Sequence, residues 1–104
     1  MVSEKIEALK NRIVEAAQPE RIILFGSSAR GTATEASDVD LLVIVRSDLP
    51  RRERERNLTR LLFGSGVAYD LIALTPEEVD ERLRIRGPFL TEILSTGRVI
   101  YERA

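Results

Sequence analysis

Asp38 and Asp40 stand two residues apart at the head of one apolar run, Val39 to Val45, and a third aspartate, Asp70, interrupts a second, Val67 to Leu74. Alternate side chains of a strand share a face, so Asp38 and Asp40 point the same way with Cα atoms roughly 6.5 to 7 Å apart. Like charges at that spacing repel unless a cation lies between them or one carboxyl keeps its proton. Asp38 and Asp40 by themselves fit a turn residue and a cap equally well, and Asp70 decides between the readings. Aspartate is poorly suited to strands, so among the apolar residues of the second run Asp70 is expected to be a buried charge needing compensation. A metal beside the other two supplies it. Three carboxylates from two strands suit a pair of Mg²⁺ ions roughly 3.5 to 4 Å apart, which together hold both oxygens of an in-line displacement. With no Cys and no His in the chain, thiolate and imidazole ligands are excluded, and the expected metal is a hard one held by oxygen.

An anion-holding turn is expected next to these carboxylates. Arg21 to Phe25 reads as a short buried strand stopped by Gly26, and Ser27 or Ser28 opens a turn of helix. Glycine lets the backbone come close to a ligand, and free N–H groups at a helix start favour phosphate. Gly26-Ser27 alone is an ordinary strand-to-helix turn; beside Asp-x-Asp it becomes a candidate triphosphate cradle. Arg30, three residues on, either reaches phosphate or ties the loop to a carboxylate such as Glu35 or Asp38.

Helices and strands must position these groups. Ile6, Leu9, Ile13, Ala16 and Ala17 recur at helical spacing, predicting an amphipathic helix over Ser3 to Gln18 with Ser3 as cap and Pro19 as stop. Val39 to Val45 suits a central strand covered on both faces. Pro50 to Phe63 reads as a helix whose Arg51 to Arg56 run forms a solvated face with pairs such as Arg51 and Glu55. Thr75, Pro76 and the following glutamates start another helix, which runs to about Arg84. Pro88 to Ser95 is a further helix and Arg98 to Glu102 a last strand. Phe89, Leu90, Ile93 and Leu94 are expected in the core, with an apolar partner-binding patch as the second reading; Tyr69 and Tyr101 are expected in the core or at a sheet edge. The element order predicts one α/β (α+β) domain over residues 1–104, a small sheet of three or four strands flanked by helices, with strand directions left open.

The 104 residues are 43% hydrophobic, with 16 basic and 17 acidic side chains. That balance gives no overall attraction to nucleic acid or acidic membranes. With no signal-peptide core, no membrane-length apolar stretch and no cysteine, a soluble cytoplasmic protein is expected.

Gly26-Ser27-Ser28-Ala29-Arg30-Gly31 followed by Ser37-Asp38-Val39-Asp40-Leu41 resembles the signature of the minimal nucleotidyltransferases of the DNA polymerase beta-like superfamily. The resemblance extends to Asp70, to Gly87-Pro88-Phe89-Leu90 and to Gly97-Arg98-Val99-Ile100-Tyr101-Glu102. It implies the family's mixed sheet and transfer of a nucleoside monophosphate, commonly AMP from ATP, with release of pyrophosphate. By position, Asp38 and Asp40 would hold two Mg²⁺ ions, Asp70 would hold the catalytic one and help deprotonate the acceptor hydroxyl, and Gly26 and Ser27 would contact the outer phosphates. Many such proteins are antitoxins that modify a tyrosine of a partner HEPN-domain toxin, which implies a hetero-oligomer.

Other functions compete with that one. A chain of this length holds the catalytic unit alone, so the acceptor is expected on another chain. It is either a protein partner or, in a two-chain enzyme, an antibiotic-like small molecule. A non-catalytic module that blocks its partner by contact keeps the same fold. A phosphate-accepting receiver domain needs a late lysine, and the only lysines are Lys5 and Lys10.

Overall fold

The computed structural model describes residues 2–31 and 38–104. In chain order the elements are α1 (Val2–Ala17), β1 (Arg21–Phe25), α2 (Ser27–Arg30), β2 (Val39–Ile44), α3 (Arg51–Leu62), β3 (Tyr69–Leu74), α4 (Pro76–Arg84), α5 (Pro88–Thr96) and β4 (Arg98–Glu102). The expected order is borne out. At the first helix the backbone is already helical at Val2, one residue before the expected start at Ser3. Helix ends follow packing as much as local signals, and α1 is anchored by the buried Ile6, Leu9 and Ile13. Among the described residues no helix is long and apolar enough to cross a membrane.

The four strands form one mixed sheet in the order β3-β2-β1-β4. β1 runs antiparallel to β2 and β4, whereas β2 and β3 are parallel. The parallel pair follows from its connection, because α3 carries the chain back along the sheet before β3 begins. One face of the sheet packs Ile22, Leu24, Leu41 and Val43 against α1 and α3. The other packs Ile23, Leu42, Ile44 and Leu74 against Val79 of α4 and Leu90 and Ile93 of α5. β2 is therefore covered on both faces, as its apolar run, broken only by Asp40, predicts.

β3 departs from expectation. It is an edge strand, and Asp70 on it is exposed. A charge there keeps much of its hydration, so the expectation that Asp70 is buried and uncompensated is corrected; an apolar run alone does not separate central from edge strands. The free edge is partly covered by α3. Arg54 Nη1 donates to Ala73 O at 2.8 Å, and Ala73 N donates to Glu55 Oε2 at 2.9 Å. Both outward backbone groups of Ala73 are thus satisfied, which blunts the edge at that point.

The Arg51 to Arg56 run contains a second correction. Arg51 pairs with Glu55 on the surface as expected, but Arg54 is only 5% exposed. Its guanidinium donates to Glu78 Oε1 at 2.6 Å and to Leu49 O at 2.8 Å, besides Ala73 O. Its Nε, also buried, has no partner. Position on the inner face of α3, in line with Leu58 and Leu62, overrides the charge pattern. Glu78 is fixed in turn by the capping box of α4: Glu78 N donates to Thr75 Oγ1, and Thr75 N donates to Glu78 Oε1.

Arg54→Ala is expected to destabilise the protein by about 3 kcal/mol, because it strands two carbonyls and a partly buried carboxylate; Arg54→Lys should recover less than half, since one ammonium cannot span the same acceptors. Denaturant unfolding measures both. The hydrogen bond from Arg54 is the main reason that the Glu78 carboxyl lies below the ordinary glutamate range. Its stabilisation is therefore complete above that range and lost as pH falls through it. Glu78→Gln should flatten the acid limb of a stability-versus-pH curve.

Candidate active site

β1 ends at Phe25 and the chain turns at Gly26 with φ 70° and ψ −150°, a region open essentially to glycine alone. A Cβ built at Gly26 would overlap Asp40 Oδ2, so the missing side chain is what lets the backbone lie against the aspartate. α2 follows at once, with Ala29 N and Arg30 N both donating to Gly26 O at 3.2 Å. Gly31 closes the turn in the left-handed conformation. Glu35 and Ser37 lie outside the described residues.

The ladders put the acidic residues in a row. Phe25 is opposite Asp40 on one side of β2, and Asp40 is opposite Asp70 on the other. Registered neighbours are roughly 4.8 Å apart, so Asp40 and Asp70 stand side by side on the face that carries α5. Asp38 precedes β2 by one residue and is exposed. Burial, followed by the charges of Asp70 and Asp38, pushes the Asp40 carboxyl above the ordinary aspartate range, and the charge of Arg30 pulls it partly back. Asp70, Asp38 and Arg30 therefore all act electrostatically on Asp40. The sign is that of a strained anion: between the ordinary and the raised value the folded state holds the proton more tightly, so rising pH costs stability in that window.

Asp40 and Asp70 line a single cleft of about 310 Å³ with Phe25, Gly26, Ile72 and Phe89. A smaller cleft of about 120 Å³ shares Phe25, Gly26 and Phe89 and adds Arg30 and Glu92. Neither is lined by Asp38 or Ser27. Arg30 is exposed, and among the described residues its guanidinium makes no hydrogen bond or ion pair that would tie the loop to Asp38. Phe89, expected in the core beside the buried Leu90 and Ile93, is 53% exposed and stands edge-on to Phe25 with ring centroids 6.1 Å apart. Following Pro88 in the first turn of α5, it overhangs the end of the sheet where the aspartates are. The Pro-Phe step at a helix start was the available signal for this.

Among the described residues no three carboxylates are already spaced around one cation. The donor chemistry nevertheless fits a hard divalent ion: the groups are all oxygens, they repel one another, and Asp40 is partly desolvated.

Comparisons with known proteins place the chain in a family. Over 88 residues the chain is 39% identical to Methanocaldococcus jannaschii MJ1305, provisionally named a protein adenylyltransferase, covering 79% of this chain and 58% of that protein. The chain thus spans little more than half of that relative's length. Over 100 residues it is 34% identical to MJ0604 of the same organism, likewise provisionally named, covering 96% of this chain and 94% of the relative. A crystal structure of a toxin–antitoxin with AMP-PNP has the same fold, with a TM-score of 0.59 and 23% identity over 99% of this chain and 75% of that one. The sequence pattern of the nucleotidyltransferase domain matches residues 6–99, from inside α1 into β4. A match that includes the Gly26 turn and both strands of the aspartate row makes this chain a member of the nucleotidyltransferase domain family.

Proposed function

We propose that this nucleotidyltransferase moves AMP from ATP to a hydroxyl of a partner protein, a tyrosine of a HEPN-domain toxin, and so acts as an antitoxin. The observation that carries the reading is the pairing of Asp40 and Asp70 in one cleft with the Gly26 turn. The protein-adenylyltransferase names of the relatives and the toxin–antitoxin neighbour support the choice of acceptor.

In this reading the triphosphate lies along Gly26 and Ser27, with Arg30 near its outer phosphates. The acceptor oxygen attacks the α-phosphorus, the bond to the β-phosphate oxygen breaks, pyrophosphate leaves, and the hydroxyl proton passes to Asp70. Mg²⁺ held by Asp38, Asp40 and Asp70 would neutralise the charge on the attacking and leaving oxygens. Phe25 and Phe89 shield the cleft from water on the α5 side.

Three measurements test the proposal. With labelled ATP, Mg²⁺ and the product of the neighbouring gene, wild-type protein should label the partner, whereas Asp40→Asn or Asp70→Asn should lower the rate about a thousandfold or more. Without divalent cation, Asp70→Asn should melt at or above the wild-type temperature at neutral pH, because one repulsion on Asp40 is gone; a clear loss of stability would count against the electrostatic account. MgATP should raise the wild-type melting temperature by ligand linkage, and by less as pH falls toward the carboxylate range, because Asp40 must release its proton to bind a cation. Gly26→Ala should abolish that shift and destabilise the fold by about 2–4 kcal/mol through backbone strain and overlap with Asp40.

A further inference from the structure

A groove runs on from the reaction cleft along β3. Its floor is Leu42, Ile72 and Leu74, and its roof is Leu90 and Ile93 of α5, around a volume of about 130 Å³. Ile72 and Phe89 line both the groove and the cleft that holds Asp40 and Asp70, so the two adjoin. From Asp70 to Leu74 the strand advances roughly 13 Å, the reach of four extended residues.

Two cations complete the lining, Arg51 of α3 and Arg82 of α4, and no carboxylate does. In a chain of net charge −1, this is a local feature. Arg82 makes no ion pair among the described residues. Arg51 uses only Nε on Glu55 Oε2, which also accepts from Ala73 N, so the guanidinium is steadied beside β3 with its other donors available. Arg51 is also the first residue of α3, whose N-terminus has no side-chain cap, and the helix dipole adds to the positive potential there. An apolar trough with a cationic mouth, opening from a reaction centre, fits an extended peptide bearing an aliphatic side chain and a carboxylate.

We propose that the acceptor enters as an acidic protein segment laid along β3, with its reacting hydroxyl at Asp70, an aliphatic side chain in the groove and a carboxylate against Arg51 and Arg82. The inference rests on the transferase reading for the hydroxyl at Asp70, whereas segment binding is measurable without transfer.

Fluorescent peptides with one tyrosine, a leucine, and glutamate or glutamine roughly four residues from the tyrosine on either side are titrated with the full chain by anisotropy at low salt. At least one glutamate peptide should bind about tenfold more tightly than its glutamine counterpart, with the preference fading as salt is raised. Arg51→Gln with Arg82→Gln should erase the preference, and Arg82→Glu should shift it toward a lysine peptide; unchanged melting temperatures show that the variants are folded. Equal affinity for all peptides, no binding of any, or a preference that survives the double substitution overturns the proposal. Label transfer from ATP is followed in parallel. Charge-dependent binding without transfer sinks the transferase reading and leaves the groove's assignment standing, whereas transfer without charge dependence does the reverse.

Discussion

Two carboxylates held side by side by a parallel ladder are the constraint on which the rest of this molecule turns. The pairing of β2 with β3 sets Asp40 beside Asp70 whether or not their charges favour it, and burial of Asp40 sharpens the conflict. Such an arrangement survives only because the ladder and the packing beneath it are stable enough to absorb the repulsion. A cation would ease the same strain. A hard ion placed there would relieve at once the like-charge repulsion and the desolvation of Asp40, which is the physical basis of the proposed metal site.

Much of the remaining architecture keeps β3 in place. An edge strand carrying an exposed charge would be easily displaced. Here α3 fastens it from outside through Arg54 and Glu55 at Ala73, and Arg54 continues to Glu78 and so to the start of α4. The buried guanidinium ties α3 and α4 to the strand that bears Asp70. Its orphaned Nε is a cost of that position. The Gly26 turn serves β2 in a similar way from the opposite side, since only the lack of a side chain allows the backbone to close over Asp40.

The approaches to the row differ in character. Toward α2 lie the Gly26 turn and Arg30, suited to anions; toward α5 and β3 lie Phe89, Ile72 and an apolar trough ending in two arginines. A substrate with a charged end and an acceptor with an apolar body would thus meet at the aspartates from different sides. Phe89 borders every one of these spaces.

The order of elements was legible in the chain because it depends on local period and punctuation: Pro19, Gly26, Thr75-Pro76 and Pro88 each act within a few residues of themselves. The Asp-x-Asp spacing and the Gly-Ser turn were legible for the same reason. What depended on distant partners was not. The burial of Arg54 rests on acceptors at Leu49, Ala73 and Glu78, and the exposure of Asp70 rests on β3 lying at the sheet edge. The sequence by itself determined which residues could do chemistry and which strands carry them, since alternation along a strand is a local property. Only the tertiary structure decided that Asp70 neighbours Asp40, that its strand is an edge, and that a groove leads away from it, because strand pairing and register are settled by how the helices pack across the whole sheet.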